Sequence, residues 1–298
     1  MTATDRVTTL ARMADLDDKT YVITGANTGI GKVTARELAR RGAHVILACR
    51  SKAKTDPVIA EIERSIGAPA GSKKLEFIAL DLGDLASVRA CAAALLARDL
   101  PIHGLINNAG LAGQRGQTKD GFELAFGTNH LGHYLFTRLL LDHLKKTPGA
   151  RIINVSSKSH YQAKGIDWDA VHEPTRTITA MREYEVSKLA NVLFTKELAR
   201  KLEGSGVTTY AVHPGVVATD VWRRVPAPVR WIIKKLMITP EQGAEASLRC
   251  ATAPELASET GKYYDVGGKE RRPSRLADDV ELARTLWTKS AQWTGLPA

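Results

Sequence analysis

The chain has 298 residues, of which 44% are hydrophobic and 25% charged, as is typical of a globular protein. No stretch reaches roughly 18 consecutive apolar residues, so we expect no transmembrane segment. The N-terminal sequence "MTATDRVTTLARMADLDDK" has charges throughout and no apolar core, and therefore predicts a cytoplasmic rather than a secreted protein. Cys49, Cys91 and Cys250 are odd in number and widely spaced, which fits reduced thiols better than a disulfide framework or a zinc site.

The formal net charge of +10 raises the question of a nucleic-acid partner, because binding to phosphates requires clustered Lys and Arg. Most positive residues are scattered, and the densest stretch, 222–235 with the sequence "WRRVPAPVRWIIKK", matches no nucleic-acid-binding motif. We therefore expect no nucleic-acid partner. Three interpretations of the stretch stay open: the solvated face of a surface helix, a lid over an apolar or anionic ligand, and peripheral contact with a membrane surface.

Short apolar and β-branched runs alternate with segments of helical periodicity along the chain. Seven of them are candidate strands: "YVITG", "HVILAC", "LEFIAL", "HGLINNAG", "ARIINVSS", "VTTYAVHPG" and "GKYYDV". Continuous apolar runs are typical of strands that are buried on both faces, and the intervening helices indicate right-handed crossovers. The pattern predicts one α/β domain over 1–298, a doubly wound Rossmann fold whose seven-stranded parallel sheet is flanked by helices on both faces.

The loop "TGANTGIGK", residues 24–32, follows the first candidate strand and precedes a helix. It is not a Walker A loop, because Ala26 replaces the first required glycine and Val33 replaces the magnesium-binding hydroxyl. Gly25, Gly29 and Gly31 instead allow a tight turn and a close approach of the backbone to a pyrophosphate, which the N–H groups at the helix start would bind. The loop thus favours a dinucleotide.

The end of the second candidate strand, "LACRSKAK", indicates which dinucleotide. NAD-binding sites typically place an acidic residue here to hold the ribose 2′-hydroxyl, but this chain has Cys49 followed by Arg50, with Lys52 and Lys54 nearby. An arginine can bind a 2′-phosphate through two hydrogen bonds, and no carboxylate is present to repel that phosphate. The sequence predicts NADP(H) as the preferred cofactor, with NAD(H) as the alternative.

Tyr184 and Lys188 in "YEVSK" lie one helical turn apart on the same face of a predicted helix. A free phenol has a pKa of about 10, too high for efficient proton exchange at neutral pH. A nearby ammonium group favours the phenolate, so we expect Lys188 to lower the pKa of Tyr184 and make it a usable general acid and base.

Further motifs accompany this pair in a fixed order. They are "DL" at 81–82, "NNAG" at 107–110, "TNHLGH" at 128–133, "NVSS" at 154–157 and "HPGVVAT" at 213–219. With the glycine-rich loop and "YEVSK", they span about two hundred residues, and their joint order resembles the classical short-chain dehydrogenase/reductase family. The stretches "YEVSKLANVLF" and "GVTTYAVHPGVV" are most similar to its retinol dehydrogenase-like branch.

The resemblance implies a catalytic tetrad of Asn129, Ser157, Tyr184 and Lys188. Tyr184 would exchange a proton with the substrate oxygen, Ser157 would orient that oxygen, and Asn129 would hold a water that links Lys188 to solvent. Ser157 is chosen over Ser156 from the family pattern, and since side chains alternate along a strand only one of them can face the substrate.

The resemblance also implies the residues that contact the cofactor. Tyr184 and Lys188 are expected among them. The phosphates and adenosine would contact Gly25, Asn27, Thr28, Gly29, Ile30 and Gly31, and the adenine would contact Asp81 and Leu82. The ribose would contact Asn108, Ala109 and Gly110, and the nicotinamide would contact Pro214, Gly215, Val217 and Thr219.

Two segments are expected to shape the substrate pocket. The interval from Ser157 to Tyr184 is longer than is common in the family, as in the retinol dehydrogenase-like branch, and predicts an insertion over about 158–182 beside the substrate entrance. A substrate lid is expected over about 218–240. His130, His133 and His213 lack metal-ligand spacing, so we expect no metal.

These features predict an NADP(H)-dependent oxidoreductase that interconverts a carbonyl and an alcohol on a small apolar substrate. Two alternatives stay open: reduction of a carbon–carbon double bond, as in the related protochlorophyllide reductases, and a non-catalytic cofactor-binding regulator on the same fold. The resemblance also allows a homo-oligomer.

Overall fold

Strands and helices alternate along the computed structural model, which describes residues 16–68, 74–215 and 238–298. The strands are β1 (Thr20–Thr24), β2 (His44–Cys49), β3 (Leu75–Ala79), β4 (Gly104–Asn107), β5 (Arg151–Val155), β6 (Thr208–Val212), β7 (Lys262–Asp265) and β8 (Lys269–Glu270). The main helices are α1 (Gly29–Arg40), α2 (Lys52–Ser65), α3 (Leu85–Leu96), α4 (Gly132–Lys145), α5 (Met181–Lys201), α6 (Pro240–Thr252) and α7 (Val280–Trp293).

Several helices begin at residues whose side chains bind the free backbone N–H groups of the first turn. This set consists of Ser51 before α2, Asp84 before α3, Thr239 before α6 and Asp279 before α7. Thr239 forms a full capping box with Gln242, and Pro240 occupies the first helical position. Local sequence thus fixes where these helices start.

The strands form one sheet in the order β3-β2-β1-β4-β5-β6-β7-β8. β1 to β7 pair in parallel, and β8 pairs with β7 in the antiparallel sense. The predicted α/β doubly wound fold is confirmed, but the predicted strand count is wrong because it missed β8. That strand has two residues, Lys269 and Glu270, and both are exposed and charged, so it has no apolar signal in the sequence.

Two apolar layers cover the sheet. Tyr21 and Ile23 of β1 face a layer formed by α1, α2 and α6, whereas Val22 faces the opposite layer, which includes α3, α4 and Trp287 of α7. All five residues of β1 are buried, as are those of β4 and β5. Burial on both faces explains the continuous apolar runs in the sequence.

The order of the strands reverses between β1 and β4. In open parallel sheets, ligands bind beyond the carboxyl ends of the strands at such a point, because the loops from the two neighbouring strands diverge there and leave a crevice. Here the diverging loops are the glycine-rich loop after β1 and the "NNAG" loop after β4. Fold topology therefore brings these two motifs together.

The helix that leads into α4 is irregular. A single turn, Leu124–Phe126, is followed by a π-helical turn, Gly127–Leu131, and then by α4. π-helical turns inside helices occur frequently at functional sites. This one contains Asn129.

The insertion predicted over about 158–182 contains two short 3₁₀ turns, Lys158–Tyr161 and Ala170–His172. Its later part is anchored by Thr175, which hydrogen-bonds to the buried Glu123 carboxylate and to the carbonyl of Gly116. Among the residues described, no helix has both the length and the apolar character needed to cross a bilayer.

Candidate active site

The glycine-rich loop leaves β1 in a conformation that only glycine adopts easily. Gly25 has a φ of +64°, in the left-handed region. A Cβ on Gly31 would lie 2.7 Å from the carbonyl oxygen of Gly25 and 2.5 Å from Nδ2 of Asn108, so the loop can close this tightly only without a side chain there. Thr28 is the exposed N-cap of α1, and Gly29 and Ile30 begin the helix. The free N–H groups at this helix start lie in the crevice at the strand-order reversal.

The "NNAG" loop is tied to the end of β1 by Thr24. The Thr24 hydroxyl accepts hydrogen bonds from the N–H groups of Asn108 and Ala109, each at 2.9 Å. The side-chain amide of Asn108 donates to the carbonyl of Thr24 at 2.8 Å. Gly110 lies beside Lys188, since a Cβ at this glycine would be 3.5 Å from Lys188 Nζ. The two motifs thus form one rigid wall of the crevice.

Asp81 and Leu82 follow β3 at the same edge of the sheet. Asp81 is partly buried, and its Oδ1 accepts a hydrogen bond from the N–H of Gly83 at 3.0 Å. Leu82 is buried and packs in the layer formed by α3 and α4. They lie after β3, which pairs with β2 in the sheet.

The end of β2 carries cationic side chains, and Cys49 stands where an NAD-binding site typically has a carboxylate. Cys49 is buried beneath the glycine-rich loop, where its thiol lies within hydrogen-bonding range of Thr55 and of the backbone of Gly25 to Asn27, and burial raises its pKa. Arg50 is exposed and forms no ion pair with any residue the structure describes. Lys52 is paired with Asp56 at 2.6 Å. Arg50 is thus available to an anionic ligand.

The two serines at the end of β5 have different surroundings. Ser156 is buried, and its hydroxyl donates to the main-chain carbonyl of Lys188 at 2.7 Å. Ser157 is partly exposed, accepts a hydrogen bond from the N–H of Ser159 at 3.2 Å, and lies close enough to Tyr184 to bond with the phenol. Ser156 therefore fastens α5 to the sheet, and Ser157 faces the crevice.

Tyr184 and Lys188 lie on α5 one turn apart, with Lys188 Nζ 5.6 Å from the centroid of the Tyr184 ring. Lys188 is buried, donates to the carbonyl of Val155 at 3.0 Å, and has its pKa lowered to about 8 by burial. Burial raises the pKa of Tyr184, and a hydrogen bond with Ser157 acts in the opposite direction. The net shift of the Tyr184 pKa is thus upward, opposite to the predicted lowering, and the Lys188 ammonium group donates to Val155 rather than to the phenol oxygen.

Asn129 in the π-helical turn binds the loop that follows Gly110. Its Oδ1 accepts from the N–H of Leu111 at 2.9 Å, and its Nδ2 donates to the carbonyl of Leu111 and to the hydroxyl of Ser187, both at 3.0 Å. The side chain thus joins the "NNAG" loop to α5. It contacts the same loop that carries Gly110 against Lys188.

The segment after β6 brings Pro214 and Gly215 to this edge of the sheet. Pro214 is buried, and Gly215 has a φ of +92° and packs so closely on Ile238 that a Cβ would lie 2.4 Å from its Cδ1. Val217 and Thr219, the basic stretch at 222–235 and most of the lid predicted over about 218–240 lie outside the described residues.

The three histidines considered as metal ligands bind other protein groups in separate places. His130 packs among aromatic rings and pairs with the Ser290 hydroxyl at 3.1 Å, and His133 bonds to Thr24 at 2.8 Å. His213 accepts from the N–H of Lys158 at 3.3 Å. In the described part of the chain, no group of three His, Cys, Asp or Glu side chains is arranged to hold a metal ion.

Comparison with known proteins identifies the family. A family model described as "short chain dehydrogenase" matches residues 19–170. Human retinol dehydrogenase 13 is 44% identical over 96% of this chain and 87% of its own length, and human retinol dehydrogenase 11 is 43% identical over 95% and 87%. The chain belongs to the short-chain dehydrogenase/reductase family. Its predicted likeness to the retinol dehydrogenase-like branch is confirmed by these relatives.

Solved structures give the same assignment. A protein from Mycobacterium paratuberculosis described as uncharacterized is 34% identical, with a TM-score of 0.76 over 97% of this chain and 98% of that one. The 3-ketoacyl-(acyl-carrier-protein) reductase of Brucella melitensis, solved with NADH, is 27% identical, with a TM-score of 0.64 over 85% and 99%. This short-chain dehydrogenase/reductase is thus an oxidoreductase of a family that uses nicotinamide cofactors.

The residues of this family member fit a dinucleotide. The glycine at position 31 lets the loop close against Gly25 and Asn108 where a side chain would clash, the N–H groups at the start of α1 supply donors, and Arg50 supplies a cation without an ion pair among the described residues. These are the chemical groups that a pyrophosphate and a 2′-phosphate require.

Several supporting residues were missed by reasoning from sequence. Thr24 holds the "NNAG" loop, Asn191 shares the carbonyl of Val155 with Lys188, and His133 connects Thr24 to the carbonyl of Asn129. Because the Thr24 hydroxyl accepts two N–H bonds, it donates to His133 Nε2, and His133 Nδ1 then donates to Asn129. Only the position of Thr24 within "TGANTGIGK" gave a signal, since the others act through contacts between distant elements.

Proposed function

We propose that this chain is an NADP(H)-dependent oxidoreductase that interconverts a carbonyl and an alcohol on a small apolar molecule, with Tyr184 as the general acid and base. The observation that supports this most strongly is the convergence of Ser157, Tyr184 and Lys188. Ser157 at the end of β5 lies within hydrogen-bonding range of Tyr184 on α5, and Lys188, one turn further along α5, lies beside Gly110 in the "NNAG" loop.

The cofactor would be held by four parts of the chain. Gly25, Gly29 and Gly31 with the start of α1 would bind the pyrophosphate, and Asp81 with Leu82 would border the adenine. Asn108 to Gly110 would lie along the ribose, with Pro214 and Gly215 at the nicotinamide. When bound, the nicotinamide supplies or accepts the hydride of the reaction.

The preference for NADP(H) is supported by the end of β2. Arg50 is solvent-exposed and unpaired among the described residues, and Cys49 cannot act as the acidic group that holds a free ribose 2′-hydroxyl. A guanidinium can form two charge-assisted hydrogen bonds with a 2′-phosphate. A 2′-phosphate would therefore gain contacts here that a hydroxyl would not.

Tyr184 would transfer the proton. Burial raises its pKa, so the phenol carries its proton at neutral pH and can donate it to the oxygen of a carbonyl as that oxygen gains negative charge. In the oxidative direction the phenolate must take the alcohol proton. Lys188, whose pKa of about 8 keeps it mainly charged at neutral pH, would stabilise that phenolate once its ammonium group turns from the Val155 carbonyl towards the phenol oxygen.

Ser157 would donate a hydrogen bond to the same substrate oxygen and so favour the transition state. Its hydroxyl is partly exposed and would exchange its long bond to the Ser159 hydroxyl, at 3.3 Å, for one to the substrate, whereas the Ser156 hydroxyl is buried and bonded to α5 at 2.7 Å. Asn129 would complete the tetrad by fixing the loop around Lys188 and by holding a water through which Lys188 exchanges protons with solvent. The three hydrogen bonds of its side-chain amide support the first of these tasks.

An apolar substrate is supported by the retinol dehydrogenases among the relatives. The end of the insertion lies next to the loop that follows Gly110, because the carbonyl of Thr179 is 3.8 Å from the position of a Cβ on Gly113. The neighbouring Ile178 is 88% exposed and would offer an apolar surface to such a substrate.

The test is a substrate panel. Purified protein is incubated with NADPH, and in parallel with NADH, together with apolar aldehydes and ketones that include retinaldehyde and an α,β-unsaturated ketone. We expect consumption of NADPH and, by NMR, an alcohol product. A saturated ketone would instead indicate reduction of the double bond. Tight NADPH binding without turnover of any compound would contradict the proposal and favour a non-catalytic regulator.

A further inference from the structure

Two buried histidines outside the tetrad contact the peptide bond that follows Ser157. His160 Nδ1 lies 2.6 Å from the carbonyl oxygen of Ser157, and the N–H of Lys158 lies 3.3 Å from His213 Nδ1. That carbonyl and that N–H belong to one peptide group. Both polar ends of the Ser157–Lys158 peptide are therefore contacted by imidazole side chains, one from the 3₁₀ turn after β5 and one directly after β6. The Ser157 carbonyl also accepts the backbone N–H of His160 at 3.1 Å.

The hydrogen-bond partners assign the tautomer of each ring. The N–H of Ser274 donates to His160 Nε2 at 3.1 Å, so the ring hydrogen is on Nδ1 and is donated to the Ser157 carbonyl. His213 Nδ1 accepts the N–H of Lys158 and therefore carries no hydrogen. The two rings act in opposite senses, one as donor and one as acceptor.

Both rings are held in the neutral form that this arrangement requires. His160 is fully buried, and burial lowers its pKa. Burial also lowers the pKa of His213 to about 4; Lys158, His160 and Lys188 act in the same direction, and Asp265 acts against them. The donor and acceptor pattern is thus present throughout the neutral pH range.

We propose that His160 and His213 are positioning residues, which fix the Ser157–Lys158 peptide and thereby the Ser157 hydroxyl relative to Tyr184. This inference rests on the proposed function, because it assigns Ser157 a place at the substrate oxygen. Its physical basis is that a displacement of about 1 Å at a reacting group can cost roughly 100-fold in rate. His213 also precedes Pro214 and Gly215, so the same contact connects the serine to the segment proposed to border the nicotinamide.

The first test uses matched pairs of polar variants. In His160→Asn the amide keeps a donor near the place of Nδ1, whereas in His160→Gln it reaches the place of Nε2 and loses the side-chain bond to Ser157; the backbone N–H bond to the Ser157 carbonyl is present in both variants. We expect His160→Gln to lower kcat by roughly 10- to 100-fold with the KM for NADPH within about twofold, and His160→Asn to keep kcat within about threefold. Equal kcat values for the two variants would overturn the inference.

The same comparison is made at His213, where Asn keeps an acceptor for the Lys158 N–H and Leu does not. A second measurement does not depend on turnover: hydrogen exchange of the Lys158 amide, followed by NMR. We expect exchange to accelerate by roughly tenfold or more in His213→Leu, because an N–H without a hydrogen bond exchanges with solvent more readily. In His213→Asn the exchange rate should change little.

These outcomes separate the two proposals. If the wild-type protein reduces no carbonyl, the proposed function fails, and the exchange of the Lys158 amide alone decides the inference. If the wild type is active but His213→Leu retains its kcat, or if the Lys158 amide exchanges at the wild-type rate in that variant, the inference is wrong and the proposed function is unaffected.

Discussion

Replacing Lys188 by methionine should make the protein more stable at neutral pH while removing its activity. Lys188 is buried, and its pKa falls from the ordinary 10.5 to about 8, so keeping the charged form folded at pH 7 costs about 3 kcal/mol. Methionine fills a similar volume without a charge. It loses the bond to the Val155 carbonyl, worth about 1 kcal/mol, but that carbonyl keeps its bond from Asn191. The expected net gain is about 2 kcal/mol.

The gain depends on pH in a defined direction. Between about pH 8 and pH 10.5 the unfolded chain binds a proton at Lys188 that the native protein does not, so the wild-type stability rises with pH across this window. Below pH 8 both states are protonated and the cost is constant. The advantage of Lys188→Met should therefore fall by about 2 kcal/mol between about pH 7 and about pH 9.5.

Urea unfolding followed by circular dichroism at the two pH values measures both quantities. Lys146→Met, at an exposed position after α4, controls for the loss of a positive charge alone. If Lys188→Met is less stable than the wild type at both pH values, or if the difference does not change with pH, then Lys188 does not pay a desolvation cost and the description of its environment is wrong.

Three further predictions concern the cofactor cradle and the serines. Arg50→Ala should raise the KM for NADPH by roughly 10- to 100-fold and leave that for NADH nearly unchanged, with smaller effects in Lys52→Ala; equal changes for both cofactors in steady-state kinetics would contradict a 2′-phosphate contact. Ser157→Ala should lower kcat by roughly 100-fold or more, whereas Ser156→Ala should mainly lower the free energy of unfolding by about 1 kcal/mol, and the reverse pattern would exchange their roles. Gly31→Ala should weaken NADPH binding by more than about tenfold in a fluorescence titration, because the added methyl group must displace the backbone of the glycine-rich loop. Unchanged affinity would show that this loop has room for a side chain at position 31.

Much of the fold could be predicted because the sequence patterns are local. The apolar run "YVIT" and the glycines after it define β1 and the turn into α1, and burial on both faces follows from the absence of alternation. β8 could not be predicted, since its two charged residues pair with β7 only because the chain turns back at Gly267 and Gly268.

The candidate site shows the same division. Tyr184 and Lys188 could be placed on one helical face from spacing alone, but the direction of the Lys188 ammonium could not, because it depends on the Val155 carbonyl at the end of β5. The contacts of His160 with Ser274 and of His213 with Lys158 join residues more than fifty positions apart. Such contacts have no signature in a single sequence.

The most direct test of the account is the activity of Tyr184→Phe, which removes one oxygen from the site and keeps the ring. Its kcat for reduction of a carbonyl substrate that the wild type accepts is measured at saturating NADPH, and the Kd for NADPH is measured on the same samples. We predict a loss in kcat of roughly 100- to 10,000-fold with a Kd within about threefold of the wild type. A variant that retains more than about a tenth of the wild-type kcat, with NADPH bound, would contradict the assignment of Tyr184 as the proton donor.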